Sequence, residues 1–291
     1  MRLDDFDPDN IKVTEGGSRG GGFSLGGGKL GCGGLIIVLI GALVFGVDPG
    51  QMLGTLENVQ QQTPTTAQQP VGGSRSATEI CTQNAYSRES CNALSSLDKT
   101  WQPLFQKANV PFEQPMLHFY TGGTRSGCGA ASSAMGPFYC PADQGIYIDV
   151  SFYDQMDKQL GARGDFARYY VMAHEYGHHV QHLTGLDQQV RKAQQQNPRQ
   201  ENALQVKMEL QADCYAGVWA ARNRDRIEPG DMEEGLTAAS AIGDDTLMKN
   251  AGQAVTPESF THGSSAERMR WLKRGLETGN EDACDTFSST G

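Results

Sequence analysis

Positive charge is scarce in this 291-residue chain. Its 24 Lys and Arg face 34 Asp and Glu, for a net charge of −10 and a pI near 5.1, which argues against nucleic acid as a partner. No internal repeat is present, and after Lys29 neither Lys nor Arg occurs until Arg75. Charge of either sign is missing from Leu30 to Val47. As a helix that stretch would be about 27 Å long, nearly enough for a hydrocarbon core of about 30 Å. The short basic region that opens a cleaved signal peptide is lacking too, because polar, Gly-rich residues fill positions 1–29. Residues 30–47 are therefore expected to be an uncleaved transmembrane helix. Arg2, Lys12, Arg19 and Lys29 precede it. The positive-inside rule then predicts a single-pass inner-membrane protein with a cytoplasmic amino terminus and the rest of the chain periplasmic or extracellular.

Cysteine usage agrees with that compartment. Cys32 lies in the apolar stretch, whereas Cys81, Cys91, Cys128, Cys140, Cys214 and Cys284 all follow it, an even number on a disulfide-permissive side. Nearest-neighbour pairing would join Cys81 to Cys91, Cys128 to Cys140 and Cys214 to Cys284, one of several connectivities open to six cysteines. The expected organisation is a disordered tail over 1–29, the transmembrane helix over 30–47, a flexible linker over 48–75 and one domain over 76–291. That domain is long enough to bury a sizeable core. Its helical patterns dominate over a few strands, which places it in the α+β class.

His174-Glu175-Tyr176-Gly177-His178 carries the chemistry. An H-E-x-x-H run on a helix sets two imidazoles on one face with a carboxylate beside them, the core of a zinc hydrolase. Asp165 is a candidate cap, Phe166 to Met172 lack proline, and Gly185 suits a left-handed stop, so a helix is predicted across the motif.

Two histidines leave a catalytic zinc site one protein ligand short. The extended pattern H-E-x-x-H-x-x-G-x-x-H is excluded, because Gln181 and Thr184 stand where glycine and histidine would be. His182 would sit about 12 Å along the axis from His174, too far for one ion, and His179 is rotated about 100° from His178. Both are expected to be structural or surface residues. Asn202 to Arg222, rich in Ala, Leu, Gln and Met and free of proline, reads as a second helix. On it Glu209 is placed as the third ligand. One turn on, Asp213 can accept the other ring N–H of His174. Cys214 is turned about 140° from Glu209, which argues against it as a ligand.

H-E-x-x-H followed by an E-x-x-x-D helix resembles the gluzincin metallopeptidases. Phe260 to Arg268 is similar to the T-H-P-x-x-x-x-R segment of integral-membrane gluzincins, with Gly263 in place of proline. Gly136 to Asp143, H-E-Y-G-H-H-V-Q, E-L-Q-A-D-C, Ile242 to Asp245 and T-H-G-S-S together resemble the bacterial neutral zinc metallopeptidase family over residues 76–287. The resemblance implies a zincin-like domain with one catalytic Zn2+, the ligands His174, His178 and Glu209, and Glu175 as general base. Two neutral imidazoles and one carboxylate would leave the ion net positive, able to activate water and polarise a peptide carbonyl.

Two roles are open for His262: a donor to the developing oxyanion, or a cap for a helix predicted over Ser265 to Gly275. Arg268 is expected either behind the ligands or on the oxyanion side. Gly145 to Val150 reads as a strand whose edge could align an extended peptide. The function expected is a membrane-anchored zinc metallopeptidase acting on a peptide or protein substrate. The alternative is a zinc-stabilised, proteolytically weak protein-binding module at the membrane surface.

Overall fold

Apolar residues lie almost all round the segment that begins at Asp165. In the computed structural model, which describes residues 1–16 and 75–288, that segment is a helix buried along most of its length. In chain order the elements are β1 (Lys12–Glu15), α1 (Ala77–Cys81), α2 (Ala85–Lys107), β2 (Met116–Tyr120), β3 (Gly123–Ser126), β4 (Gly129–Ser132), β5 (Phe138–Cys140), β6 (Gly145–Asp149), α3 (Ser151–Gln159), α4 (Asp165–Leu183), α5 (Leu186–Gln196), α6 (Glu201–Arg222), α7 (Asp231–Ala241), α8 (Asp244–Asn250) and α9 (Ser265–Thr278). The described residues are mostly helical with small sheets, as the α+β class requires. Helix α4 packs against α2, α6 and α7, and α6 against α9.

Glycines let these helices approach closely. A Cβ on Gly177 of α4 would stand 2.9 Å from the Ala212 backbone of α6, and one on Gly217 of α6 would stand 2.2 Å from the Leu272 carbonyl of α9. Any larger side chain would push the three helices apart. Helix α4 starts at Asp165 with Gly164 before it, and Glu234 of α7 accepts the Phe166 N–H at 3.1 Å. Gly185, at φ +75°, follows its last turn in the predicted left-handed conformation.

The main sheet runs β1-β2-β6-β5. β1 and β6 are both parallel to β2, with Lys12 and Gly145 flanking Met116, and β5 is antiparallel to β6, with Phe138 opposite Tyr147. The predicted strand is present as β6, but it is an interior strand, so it is not the edge a peptide could join. The edge strands are β1 and β5. The correction follows from strand order, which the local pattern of residues 145–150 does not contain.

The amino terminus requires a second correction. A disordered tail is expected over residues 1–29, yet residues 1–16 are folded into the domain. Ile11 is buried, Leu3, Phe6 and Val13 pack on the core, and β1 satisfies one edge of β2. The Met1 amino group donates to Asp231 at 2.8 Å and to Asp165, the first residue of α4, at 3.1 Å. Residues 1–16 and 75–288 thus form one folded body. The transmembrane segment expected at 30–47, and the linker expected at 48–75 apart from Arg75, lie outside the described residues. Among the described residues no helix is long and apolar enough to cross a membrane.

The cysteines pair as nearest neighbours. Cys81–Cys91 links α1 to α2, Cys128–Cys140 links the β3–β4 turn to β5, and Cys214–Cys284 links α6 to the chain after α9.

Candidate metal centre

The Gly177–Ala212 contact brings α6 within reach of the two histidines one turn apart on α4. His174 Nε2 lies 3.1 Å from Glu209 Oε2, and His178 Nε2 lies 3.5 Å from the same oxygen. One donor atom from each of the three residues falls within 4.8 Å of the others. Tetrahedral donors at zinc distances stand about 3.3–3.5 Å apart, so the trio fits a zinc ion in both spacing and donor type. His179 and His182 are not part of the trio. His182 Nδ1 contacts Asp187 at 2.9 Å. His179, fully buried, contacts the Glu113 carbonyl at 2.7 Å and the Tyr139 hydroxyl at 3.0 Å, and burial lowers its pKa to about 4.

Both histidines of the candidate trio have their outer nitrogen engaged. His174 Nδ1 is 2.8 Å from Asp213 Oδ1. Asp213 is wholly buried and also accepts from the Tyr170 hydroxyl at 2.5 Å and from Arg268 Nε and Nη2 at 2.9 Å each. His178 Nδ1 is 2.9 Å from Oε1 of buried Gln181. Glu209 is held by its second oxygen, which accepts from Gln205 Nε2 at 2.8 Å.

Burial alone would suppress charge on His174, but Asp213 and Glu209 outweigh it and raise its pKa to about 10 in the metal-free cluster. His178 is raised against burial by Glu209. In turn Glu209 is held well below the usual carboxylate range by His178 and His174, which overcome its desolvation. Asp213 is likewise lowered against burial by Arg268 and His174. A metal binding here would displace protons from the imidazoles.

Arg268 belongs to the support of His174. Its guanidinium is almost fully buried and is directed to Asp213, the Tyr170 hydroxyl and, at 3.2 Å, the Ile242 carbonyl. Of the two expected places for Arg268, these contacts are those of a residue behind His174. The short spacing between Gly275 of α9 and the α6 backbone, where a Cβ would meet the Cys214 carbonyl at 2.0 Å, explains how the guanidinium reaches Asp213.

His262 occupies a separate loop. Asp244 Oδ2 accepts the backbone N–H groups of Thr261, His262 and Gly263 at 2.7, 2.7 and 3.0 Å, while Oδ1 faces His262 Nδ1 at 3.3 Å. Asp245 accepts from the Ser265 N–H and hydroxyl, each at 2.7 Å. Ser264, in a capping box with Glu267, caps α9, so His262 is not the cap. Gly263 has φ +94° and its N–H is used. Proline can satisfy neither condition, which accounts for its replacement in the T-H-G segment.

His174, Glu175, His178, Glu209 and His262 line one cavity of about 380 Å3. Its apolar wall includes Phe138, Phe152, Leu160, Val171 and Leu247. Among the described residues nothing hydrogen-bonds the Glu175 carboxylate, which is left to the cavity. Sequence reasoning missed Tyr170, Gln181, Gln205 and Asp244 as supporting residues. Two signals were available: Gln181 stands three residues after His178, on the same helical face, and Asp244 lies in the Ile242-Gly243-Asp244-Asp245 block.

Comparison with known proteins agrees with this geometry. The family model described as "Putative neutral zinc metallopeptidase" matches residues 5–287, including most of the folded amino-terminal segment. The chain is 45% identical over 287 residues to "Uncharacterized protein YpfJ" of Escherichia coli K12, covering 97% of this chain and 95% of that protein. It is 37% identical over 265 residues to "Uncharacterized protein Rv2575" of Mycobacterium tuberculosis H37Rv, covering 85% of each. No solved structure matches. With the metal-ligand cluster assembled and the match spanning nearly the whole chain, the protein belongs to the putative neutral zinc metallopeptidase family.

Proposed function

We propose that this protein is an active zinc-dependent peptidase, with His174, His178 and Glu209 holding the ion and Glu175 as general base. The observation that carries the reading is the Glu175 carboxylate, open to the same cavity as the three ligands and engaged by no other described residue. When bound, zinc activates a water molecule and polarises the scissile carbonyl. Glu175 takes the proton of the attacking water and returns it to the leaving amine. In its doubly protonated form His262 donates from Nε2 to the carbonyl oxygen as negative charge develops there, while Nδ1 is held by Asp244 at 3.3 Å and the Thr261 hydroxyl at 3.0 Å. Arg268 and Asp213 position His174 and touch no reacting atom.

Substrate alignment is assigned to β5. Its outer edge is unpaired within the sheet, and Phe138 and Tyr139 face the cavity, so an extended peptide can add there as a further strand. Pro137 removes one potential donor just before it.

The folded body, including residues 1–16, is assigned to an oxidising compartment outside the cytoplasm. Its three disulfides support this. Any membrane attachment through residues 30–47 would then leave both flanks on the same face. A cysteine introduced by Asp9→Cys in a Cys32→Ser background should react with a membrane-impermeant maleimide in intact cells; protection until lysis would contradict the assignment.

Catalysis is tested with zinc-loaded full-length protein and a peptide library. Glu175→Gln should retain stoichiometric zinc while chelator-sensitive cleavage falls by about 100-fold or more. Unchanged cleavage with zinc retained would overturn the assigned mechanism.

A further inference from the structure

We propose that Gln181 and Gln211 form a positioning relay that carries the orientation of His178 to the segment fastened by Cys214–Cys284, so that metal retention answers to that disulfide. Gln181 on α4 is fully buried. Its Nε2 donates to the Met208 carbonyl at 2.8 Å and to Gln211 Oε1 at 3.0 Å, while its Oε1 faces His178 Nδ1. Gln211 on α6 is also buried, and its Nε2 donates to the Cys284 carbonyl at 3.1 Å. Cys284 is bonded to Cys214, which lies on the same helix three residues after Gln211.

The direction of this chain of hydrogen bonds is set at its ends. A backbone carbonyl only accepts, so Met208 requires the amide nitrogen of Gln181, and Cys284 requires that of Gln211. Each amide oxygen is thereby turned toward the metal centre. Gln181 Oε1 then requires His178 to carry its proton on Nδ1, which leaves Nε2 free to ligate. Without the Cys284 carbonyl, Gln211 could rotate its amide and offer N–H instead of oxygen to Gln181. The segment is also attached to α6 by Thr286, whose hydroxyl donates to the Lys207 carbonyl at 2.7 Å, and by Glu281, which pairs with Arg222 at 2.9 Å, so the disulfide is the covalent part of the clamp.

The relay rests on His178 being a ligand, and the experiment separates the two ideas. Zinc affinity is measured by chelator competition on the full chain, and Co2+-substituted protein gives a visible spectrum that reports ligand geometry. His178→Ala should abolish tight binding; retention of stoichiometric zinc there would defeat the ligand reading itself. Gln181→Leu should weaken zinc about 10- to 100-fold, the range for partners behind a ligating histidine, and alter the cobalt spectrum. Gln211→Leu and the Cys214→Ala/Cys284→Ala pair should each weaken it less, with no further loss when combined. An unchanged affinity and spectrum in Gln181→Leu overturns the relay. Fully additive losses from Gln211→Leu and the cysteine pair overturn its connection to the disulfide, even if one variant is poorly folded, because Gln211→Met supplies the same comparison with a residue of similar shape.

Discussion

His174 and His178 sit on the same face of α4, yet their outer nitrogens are held by opposite kinds of chemistry. On one side a buried carboxylate, Asp213, is shared between His174, Tyr170 and the guanidinium of Arg268. On the other, neutral amides run from Gln181 through Gln211 to a backbone carbonyl. A buried ion pair is costly to break because the surviving charge has no water to return to. An amide chain costs less when broken but directs its hydrogen bonds strictly. The His174 side is therefore the one on which stability depends most, and the His178 side sets ring orientation with little electrostatic cost.

The largest effect should come from breaking the charged side. In metal-free protein Asp213→Ala strands Arg268 in the core and is expected to cost about 3–5 kcal/mol. Gln181→Leu, which leaves only neutral partners unsatisfied, should cost about 1–3 kcal/mol. Urea unfolding of the two variants checks the contrast. Equal losses would mean that the amides carry as much of the fold as the ions.

pH separates the sides further. His174 has its folded pKa raised from 6.5 to about 10 by Asp213 and Glu209 acting against burial, so its contribution to metal-free stability is complete below about 6.5 and is lost as pH rises through about 10. The midpoint of thermal unfolding should drop by several degrees across that window, at about 2–4 °C per kcal/mol for a body of this size. Asp213→Asn should flatten most of the drop, and Gln181→Leu should preserve it, since amides do not titrate. Apparent zinc affinity should rise over the same range, because the ion needs the imidazoles neutral. A slope that survives in Asp213→Asn would assign the proton elsewhere.

The same contrast explains what the sequence could reveal. His174, Glu175 and His178 are legible because a helix repeats every turn, and Glu209 and Asp213 because a second helix offers one face. Gln181 obeys the same spacing but has no charge to draw attention, and its partners come from α6 and the chain after α9. Arg268 is legible through its motif, although its direction depends on the Gly217–Gly275 contact between helices. β1 is four residues long, too short for a periodic signal, and follows a polar start; only pairing with β2 reveals it. The interior position of β6 is likewise a property of strand order. Local pattern pointed to the residues of the candidate metal cluster, whereas long-range contacts decided which groups support them and which strands lie at the sheet edges.

The smallest expected effect tests whether a carboxylate behind a histidine always serves the metal. Asp244 faces His262 as Asp213 faces His174, but His262 is not in the ligand trio. An asparagine at 244 can still accept the three backbone N–H groups through one oxygen, but its NH2 then faces His262 Nδ1 and cannot accept the Nδ1–H that the doubly protonated, donating ring carries. Asp244→Asn should therefore lower kcat by about 10- to 100-fold with zinc content unchanged and little change in KM. Loss of zinc instead would join the T-H-G loop to the ligand support and leave the oxyanion without an assigned side-chain donor. Turnover lost with metal retained would show that similar carboxylate–histidine pairs divide the work, one holding the ion and the other presenting a proton to the substrate.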